Sequence, residues 1–547
     1  MKKIWIIGIS VAVLIGGAFL YLKFRGSEDF EPLIKSKLQQ LVKDGSDGLY
    51  RLEFDSINVD VLESKVYLFN AELITDSSRL IVLDSLKQAP NDVFKVSIKT
   101  LVVDGIGTDD ILKGNNIDLD VLYIKEPIVE VFHHRRSYNY TPPDTSNLYS
   151  RIGESLKHLA IKNLYVQNAD FTYHNIREDD KITKFKNVSM IFKDVLVDSA
   201  TQYDSTRFLY AKNAGIFLKD YTITTADSLY NFKVDSVALY ASSHTMNISG
   251  LSLKPKGKKE DFSKKISFYK DRYDIKFESA SIKNVDWYSL LSEDGFTASQ
   301  VSLDNGSVEV YADRSLPASG KTKVGNYPHQ LLMKIKMPLS IDTIALNNIK
   351  VTYKEFNPQS GKTGLLVFDK INGAFTNITN EKENIAKDHF LTLNASSLLM
   401  GSGSLQAVFK FDLTKTATGN FSLDATLGAI DGKKLNDATM PLGLFEIKNA
   451  QIKKLTAHIQ ASDKRASGKV SFLYNDLKIG VLKPDENAKG KLKEKGFISF
   501  IANSFVIKKA NNESGGFENA SARRNPQKSF FNLIWKTILD GITKTIK

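Results

Sequence analysis

The chain has 547 residues, 42% hydrophobic and 25% charged, with 13 prolines and 33 glycines, a composition that excludes a largely disordered protein. It has no cysteine, which excludes disulfides, thiolate metal sites, a cysteine nucleophile and a lipid-modified N-terminal Cys. The net charge of +12 comes from lysines spread over many short stretches with no groove-reading module, so it fits a solvated surface or anionic lipid headgroups and not nucleic acid.

Residues 1–26 read as a membrane anchor. No charged side chain occurs from Ile4 to Leu22, a run that includes Trp5, Leu14 and Phe19. An apolar run of roughly 20 residues crosses a ~30 Å hydrocarbon core as a helix. The alternative is a cleaved export signal, with Gly16, Gly17 and Ala18 as its small-residue region. Either way the rest of the chain is expected to be exported. Over 27–48 the spacing of Phe30, Leu33, Ile34, Leu38, Leu41 and Val42 predicts an amphipathic helix, with Glu28 and Asp29 at its start and Gly45 at its stop.

From residue 49 the period changes to two. Leu52 and Phe54, Val59 and Val61, and Val66 and Leu68 alternate with polar residues, the pattern of strands with one buried face. This first β-repeat region runs over 49–137, with a turn at Ser64–Lys65 and one helical turn at Asp109–Leu112. A linker follows over 138–158.

Residues 159–482 read as a β-repeat groove region. Residues 159–174 match 339–354 position by position: Ile161 with Ile341, Leu164 with Ile344, Val166 with Leu346, Asn168 with Asn348, Phe171 with Val351 and Tyr173 with Tyr353. A weaker third copy holds Ile282, Asn284, Trp287 and Tyr288, and Ile447–Ala450 echo the core of the unit. Each unit reads as two strands broken by a bulge or bend at the Asn, which tolerates left-handed backbone. An interruption is expected at 432–445, a basic loop at 483–496, and a hairpin with a linker at 497–524. Residues 525–547 form the last helix, with Phe531, Ile534, Trp535 and Ile538 on one stripe and Lys536 beside it. That composition fits a membrane-surface helix. It also fits a cap over an open sheet edge.

No catalytic, cofactor-binding or metal-ligating residue is nominated. His133 and His134 are adjacent on an extended segment, so they point to opposite faces and read as a solvated strand end. The pairs Asp109–Asp110 and Asp179–Asp180 lack a third ligand at a recognisable spacing. Nucleophile-elbow, P-loop, H-E-x-x-H and EF-hand patterns are absent from the sequence. The expectation is a protein that is not an enzyme and needs no cofactor.

The anchor at Ile4–Leu22, the FDSINVDVLESKVYLFNAEL and DGIGTDDILKGNNIDLDVLYIKEPIVEV units, SGKVSFLYNDLKIGVL with Gly468, Tyr474, Asp476 and Leu477, and the terminal FFNLIW helix together resemble the AsmA-like family of envelope proteins. The resemblance covers nearly the whole chain. It implies a mainly β fold: an elongated, curled antiparallel sheet, a groove or solenoid of repeated strand pairs, between an N-terminal transmembrane helix and a C-terminal amphipathic helix. It further implies kinship with bridge-like lipid transfer proteins. On that reading Ile161, Leu164, Val166, Phe171, Ile341, Ile344, Leu346 and Val351 line a lipid groove. The partners would be membrane phospholipids, the inner membrane of a diderm bacterium through the single N-terminal span, and an outer-membrane or envelope protein, with the bulk of the chain in the periplasm. The alternative is a non-catalytic scaffold or assembly factor for outer-membrane components.

Overall fold

The computed structural model describes residues 31–105, 116–134, 158–176, 181–287, 295–485, 492–494, 508–511 and 516–547, apart from a few single positions. The anchor residues Ile4, Trp5, Leu14, Phe19 and Leu22, the turn expected at Asp109–Leu112, most of the 138–158 linker and the first part of the hairpin expected at 497–524 lie outside the described residues. Among the described residues, no helix is long and apolar enough to cross a membrane. Strands dominate, so the protein is mainly β. The chain divides into two compact units, Met1–Tyr221 with Asp235–Met246, and Thr222–Val234 with Asn247–Lys547.

The first unit begins with helix α1 (Glu31–Gly45), whose Leu38 and Val42 are buried as the helical spacing requires. Lys35 and Gln39 donate to the carbonyls of Phe54 and Leu52, at 2.7 and 3.0 Å, and hold the helix to the first strands. β1 (Tyr50–Glu53) and β2 (Ser56–Asp60) both pair antiparallel with β3 (Lys65–Thr75). Ser64, in the expected turn, has φ 56°. The sequence reading did not anticipate α2 (Ser77–Ser85), which Asp76 caps by accepting from the Arg79 N–H. β4 (Asp92–Asp104) and β5 (Asn116–His133) pair antiparallel. β6 (His158–Asn175) then runs parallel to β5, and β7 (Lys181–Val197) and β8 (Ala211–Thr224) return to antiparallel pairing. β9 (Tyr230–Tyr240) and β10 (Thr245–Pro255) each contribute residues to both units.

In the second unit a short helix, α3 (Lys259–Lys264), precedes β11 (Arg272–Lys283), which pairs antiparallel with β12 (Phe296–Asp313). After α4 (Pro328–Leu332), β13 (Leu339–Asn357) lies parallel to β12. An antiparallel run follows: β14 (Lys362–Thr379), then after α5 (Lys382–Lys387) β15 (Phe390–Leu399), β16 (Gly403–Asp412) and β17 (Phe421–Leu427). β17 and the short β18 (Ile430–Asp431) both pair with β19 (Phe445–Ala461). Helical turns occupy 432–443, where an interruption was expected. β20 (Arg465–Pro484) pairs with β19, with β21 (Leu492–Glu494) and with β22 (Glu518–Arg523), and α6 (Phe530–Ile546) ends the chain.

The expectation of a purely antiparallel sheet is therefore corrected. β5–β6 and β12–β13 are parallel. A parallel pair needs a connection that returns from one strand end to the other. Residues 314–338, which carry α4, make that return in the second unit. The repeat extends beyond the matched segments, because Phe296, the start of β12, follows Asn116, the start of β5, by 180 positions, and both strands have 18 residues.

The matched Asn does not separate two strands. β6 and β13 each run on through it as one strand. Asn168 and Asn348 adopt φ 52° and 55°, and the register shifts beside each, between Val166 and Ala169 and between Leu346 and Ile349. A bulge adds one residue and reverses the side-chain alternation. Val166 and Ala169, three positions apart, are consequently both buried. The weaker copy at 277–291 departs further. β11 stops at Lys283, Asn284 has φ 53°, and Trp287 is buried outside any strand.

Helix α6 caps the β structure of the second unit. Leu533, Ile534, Thr537, Gly541 and Thr545 form its buried stripe. A Cβ on Gly541 would stand 2.5 Å from Val470 Cβ of β20, so the absent side chain permits the close approach.

Candidate functional site

The strand registers of the second unit place apolar residues in rows across one face. The first row is Ile282, Val301, Ile344, Phe375, Leu393, Phe409, Leu423 and Ile459, each directly opposite the next. Beside it run Ala280, Leu303, Leu346, Gly373, Ala395, Ala407, Ala425 and Ala457, small wherever Leu303 and Leu346 are not. Beyond the bulge the same face continues as Ile275, Val308, Val351, Phe368 and Leu399. Alternation puts one set of side chains on one face of a sheet, and pairing in register makes that set continuous across strands.

The rows are covered unevenly. Leu423 and Ile459 are buried in the cluster that includes Leu533 and Ile534 of α6. From Ile282 to Phe409 the first row is half-buried, with Val301, Ile344, Phe375 and Phe409 packed against the edge of that cluster, and Leu303, Leu346, Val308 and Val351 are half-buried too. Carboxylates, ammonium groups and imidazoles are absent from all three rows. This stretch is an apolar track that carries no charged side chain.

The predicted groove residues divide accordingly. Ile341 is buried, while Ile344, Leu346 and Val351 lie half-buried on the track. Their counterparts in the first unit occupy matching rows. Val66, Val103, Leu122, Leu164, Phe192 and Ala214 stand opposite one another, followed by Leu68, Leu101, Ile124, Val166, Met190 and Ile216. Every member of the first of these rows is at most 3% exposed, so the row is closed from solvent. Ile161 and Val166 are buried and Phe171 is half-buried. Ile161 and Leu164 are three apart, yet both are buried. Between their β7 partners Val195 and Phe192 lies Asp194, at φ 51°. Val301, Phe375, Leu393 and Phe409 were not singled out from the sequence, although alternation in QVSLDNGSVEVY and its neighbours was the available signal.

Tyr327, Leu332 and Met333, from the connection between β12 and β13, pack against this face. Tyr327 and Leu332 are buried with Phe411, Phe421 and Ile341 in one cluster. The Gln330 amide donates to Asp463 (2.6 Å) and to the Thr416 carbonyl (2.8 Å), and the Tyr327 hydroxyl donates to the Ser462 carbonyl (3.2 Å). Fully buried His329 contacts the rings of Tyr327 and Phe411, and neither ring nitrogen has a hydrogen-bond partner. Burial pushes its pKa down to about 4, although the carboxylates of Asp463 and Asp412 oppose the shift.

Polar hollows also occur, of about 540 Å³ beside Asn70, Glu126, Asn168 and Asn187, and about 570 Å³ beside Asn305, Asn348 and Lys370. All of these named residues have positive φ. In the first Lys99 pairs with Glu126 at 2.9 Å, and in the second Lys350 pairs with Asp369 at 3.2 Å. His133 pairs with Asp92 at 2.6 Å and stacks on Tyr173, while Arg136 pairs with Asp84. Among the described residues no group of three or more His, Asp or Glu could hold a metal ion.

On α6, Ile534 is buried and Ile538 half-buried, whereas Phe531, Trp535 and Lys536 are exposed. No protein-family model matches the chain, and no curated protein matches it.

Proposed function

We propose that this protein binds lipid acyl chains along the apolar track of β11–β16. On this reading it is an AsmA-like protein, anchored in the inner membrane, with its β structure in the periplasm, and it moves phospholipid between envelope membranes. The observation that carries the reading is the half-buried row from Ile282 to Phe409. Each acyl methylene buried on it contributes about 0.8 kcal/mol, so a chain of ordinary length holds without any specific polar contact. Such binding needs no catalytic residue, only a continuous apolar path.

Photo-crosslinking tests this. A benzophenone side chain at Leu346 is expected to capture phospholipid in cells, and one at exposed Lys350 is not. Equal capture at both positions, or none at Leu346, would count against the track. A scaffold role for envelope assembly is favoured by a different observation. The matching row of the first unit is closed, as a structural β core is. Lipid capture at Leu346 with none at Leu164 would assign the two roles to the two units.

A further inference from the structure

The apolar face of the second unit ends in a group of cations. Tyr353 follows Val351 by two positions, so its ring continues the track. Its hydroxyl accepts from Arg314 (3.4 Å) and donates to Glu355. Arg314 pairs with Glu355 at 2.8 Å, and its guanidinium lies 3.9 Å from the centre of the Tyr269 ring. Its Nε is buried without a hydrogen-bond partner. Lys323 pairs with Asp271 at 3.1 Å and lies 5.3 Å from the same ring centre. The Lys323 backbone N–H donates to the Pro526 carbonyl at 2.6 Å, which ties this group to the segment entering α6.

Lys528 follows on that segment. It is half-buried, and among the described residues its ammonium has no ion pair and no hydrogen bond. Burial holds its pKa below the ordinary lysine value, and the charges of Arg314, Lys323 and Lys536 push the same way against Glu355. Arg314, Lys323 and Lys528 gather here beside the carboxylates of Asp271 and Glu355. Withdrawing an unpaired ammonium from water into a cationic neighbourhood is unfavourable, and an anion placed between these groups removes the penalty. The first turn of α6 holds no acidic residue and Ser529 makes no side-chain cap, so the positive helix end adds to the same field.

We infer that Arg314, Lys323 and Lys528 bind the phosphate of a lipid headgroup whose acyl chains lie on the adjoining track. This deepens the lipid-binding reading above and rests on it. Lysine and arginine bind phosphate through charge-assisted hydrogen bonds, the strongest class of such contacts.

The test is equilibrium binding to the full chain of dioctanoyl phosphatidylglycerol, dioctanoylglycerol and inorganic phosphate. The expected result is that Lys528→Gln weakens phosphatidylglycerol binding about tenfold and changes dioctanoylglycerol binding less than twofold, while Lys528→Arg retains the affinity. Lys528→Gln is expected to melt no lower than the natural chain, since it removes an unpaired charge. Phosphatidylglycerol affinity unchanged in Lys528→Gln would overturn the headgroup site and leave the track standing. Failure of both dioctanoyl lipids to bind the natural chain would overturn the track as well. Inorganic phosphate binding as tightly as the lipid, and lost in Lys528→Gln, would overturn the headgroup assignment in favour of a free-anion site.

Discussion

Acidification should loosen α4, and His329 sets the amount. In the folded chain burial holds its pKa at about 4, against an ordinary 6.5. Below pH 6.5 the unfolded segment therefore binds a proton that the folded one refuses. The stabilisation is complete above pH 6.5 and is lost as pH falls toward 4. The full gap corresponds to about 3 kcal/mol, of which about 2 kcal/mol is gone by pH 5. Complete burial leaves no solvent screening to discount. Hydrogen exchange read by mass spectrometry over residues 327–333 is the assay. After correction for intrinsic rates, protection should fall roughly thirtyfold between pH 7.5 and 5. In His329→Leu the fall should vanish, with protection at pH 7.5 kept or raised, because both unpartnered ring nitrogens are gone. Equal protection at the two pH values in the natural chain would refute this reasoning, as would the same loss in His329→Leu.

Leu164→Ala should cost ~2–5 kcal/mol, since Leu164 is 3% exposed, while Ile344→Ala at the half-buried matching position should cost less than about 2 kcal/mol. Denaturant titration of the two variants checks this, and the reverse order would contradict the difference between the rows. Asn348→Ala should destabilise by ~1–2 kcal/mol, because φ is 55° there and the 2.8 Å bond to Asn305 is lost; Asn348→Gly should cost less. Comparison of their unfolding midpoints decides, and equal midpoints would argue against backbone strain. Gly541→Leu should cost about 1–3 kcal/mol by lifting α6 from Val470, seen as a lower melting temperature and faster exchange in 530–546. Unchanged protection there would show that the helix does not dock as closely as described.

The alternation of Leu52, Phe54, Val66 and Leu68, and the helical stripes of α1 and α6, were legible because period alone distinguishes strand from helix. The bulge at Asn168 and Asn348 was legible because few residues other than glycine and asparagine accept positive φ cheaply. Continuity of each strand through that bulge was not, since a polar break reads the same in a bent strand as in a turn. Strand direction was not legible either. Alternation is identical in parallel and antiparallel pairs, so β5–β6 and β12–β13 emerged only from the register. Closure differs between Leu164 and Ile344 although both are aliphatic at matched positions, because exposure depends on what packs above the row. The cation group escaped notice for a related reason. Lys528 is far along the chain from Arg314 and Lys323, and each alone reads as a solvated charge.

Lipid retained by the protein tests the central claim most directly. The full chain and its Ile344→Asp/Leu346→Asp variant would be extracted in a lipid-free detergent, matched for melting behaviour and analysed by mass spectrometry. The account predicts phospholipid in near-stoichiometric amount with the natural chain and little with a folded variant, because a carboxylate on the track must be desolvated against the acyl chain. A folded natural chain free of lipid, or equal lipid in both, would contradict it.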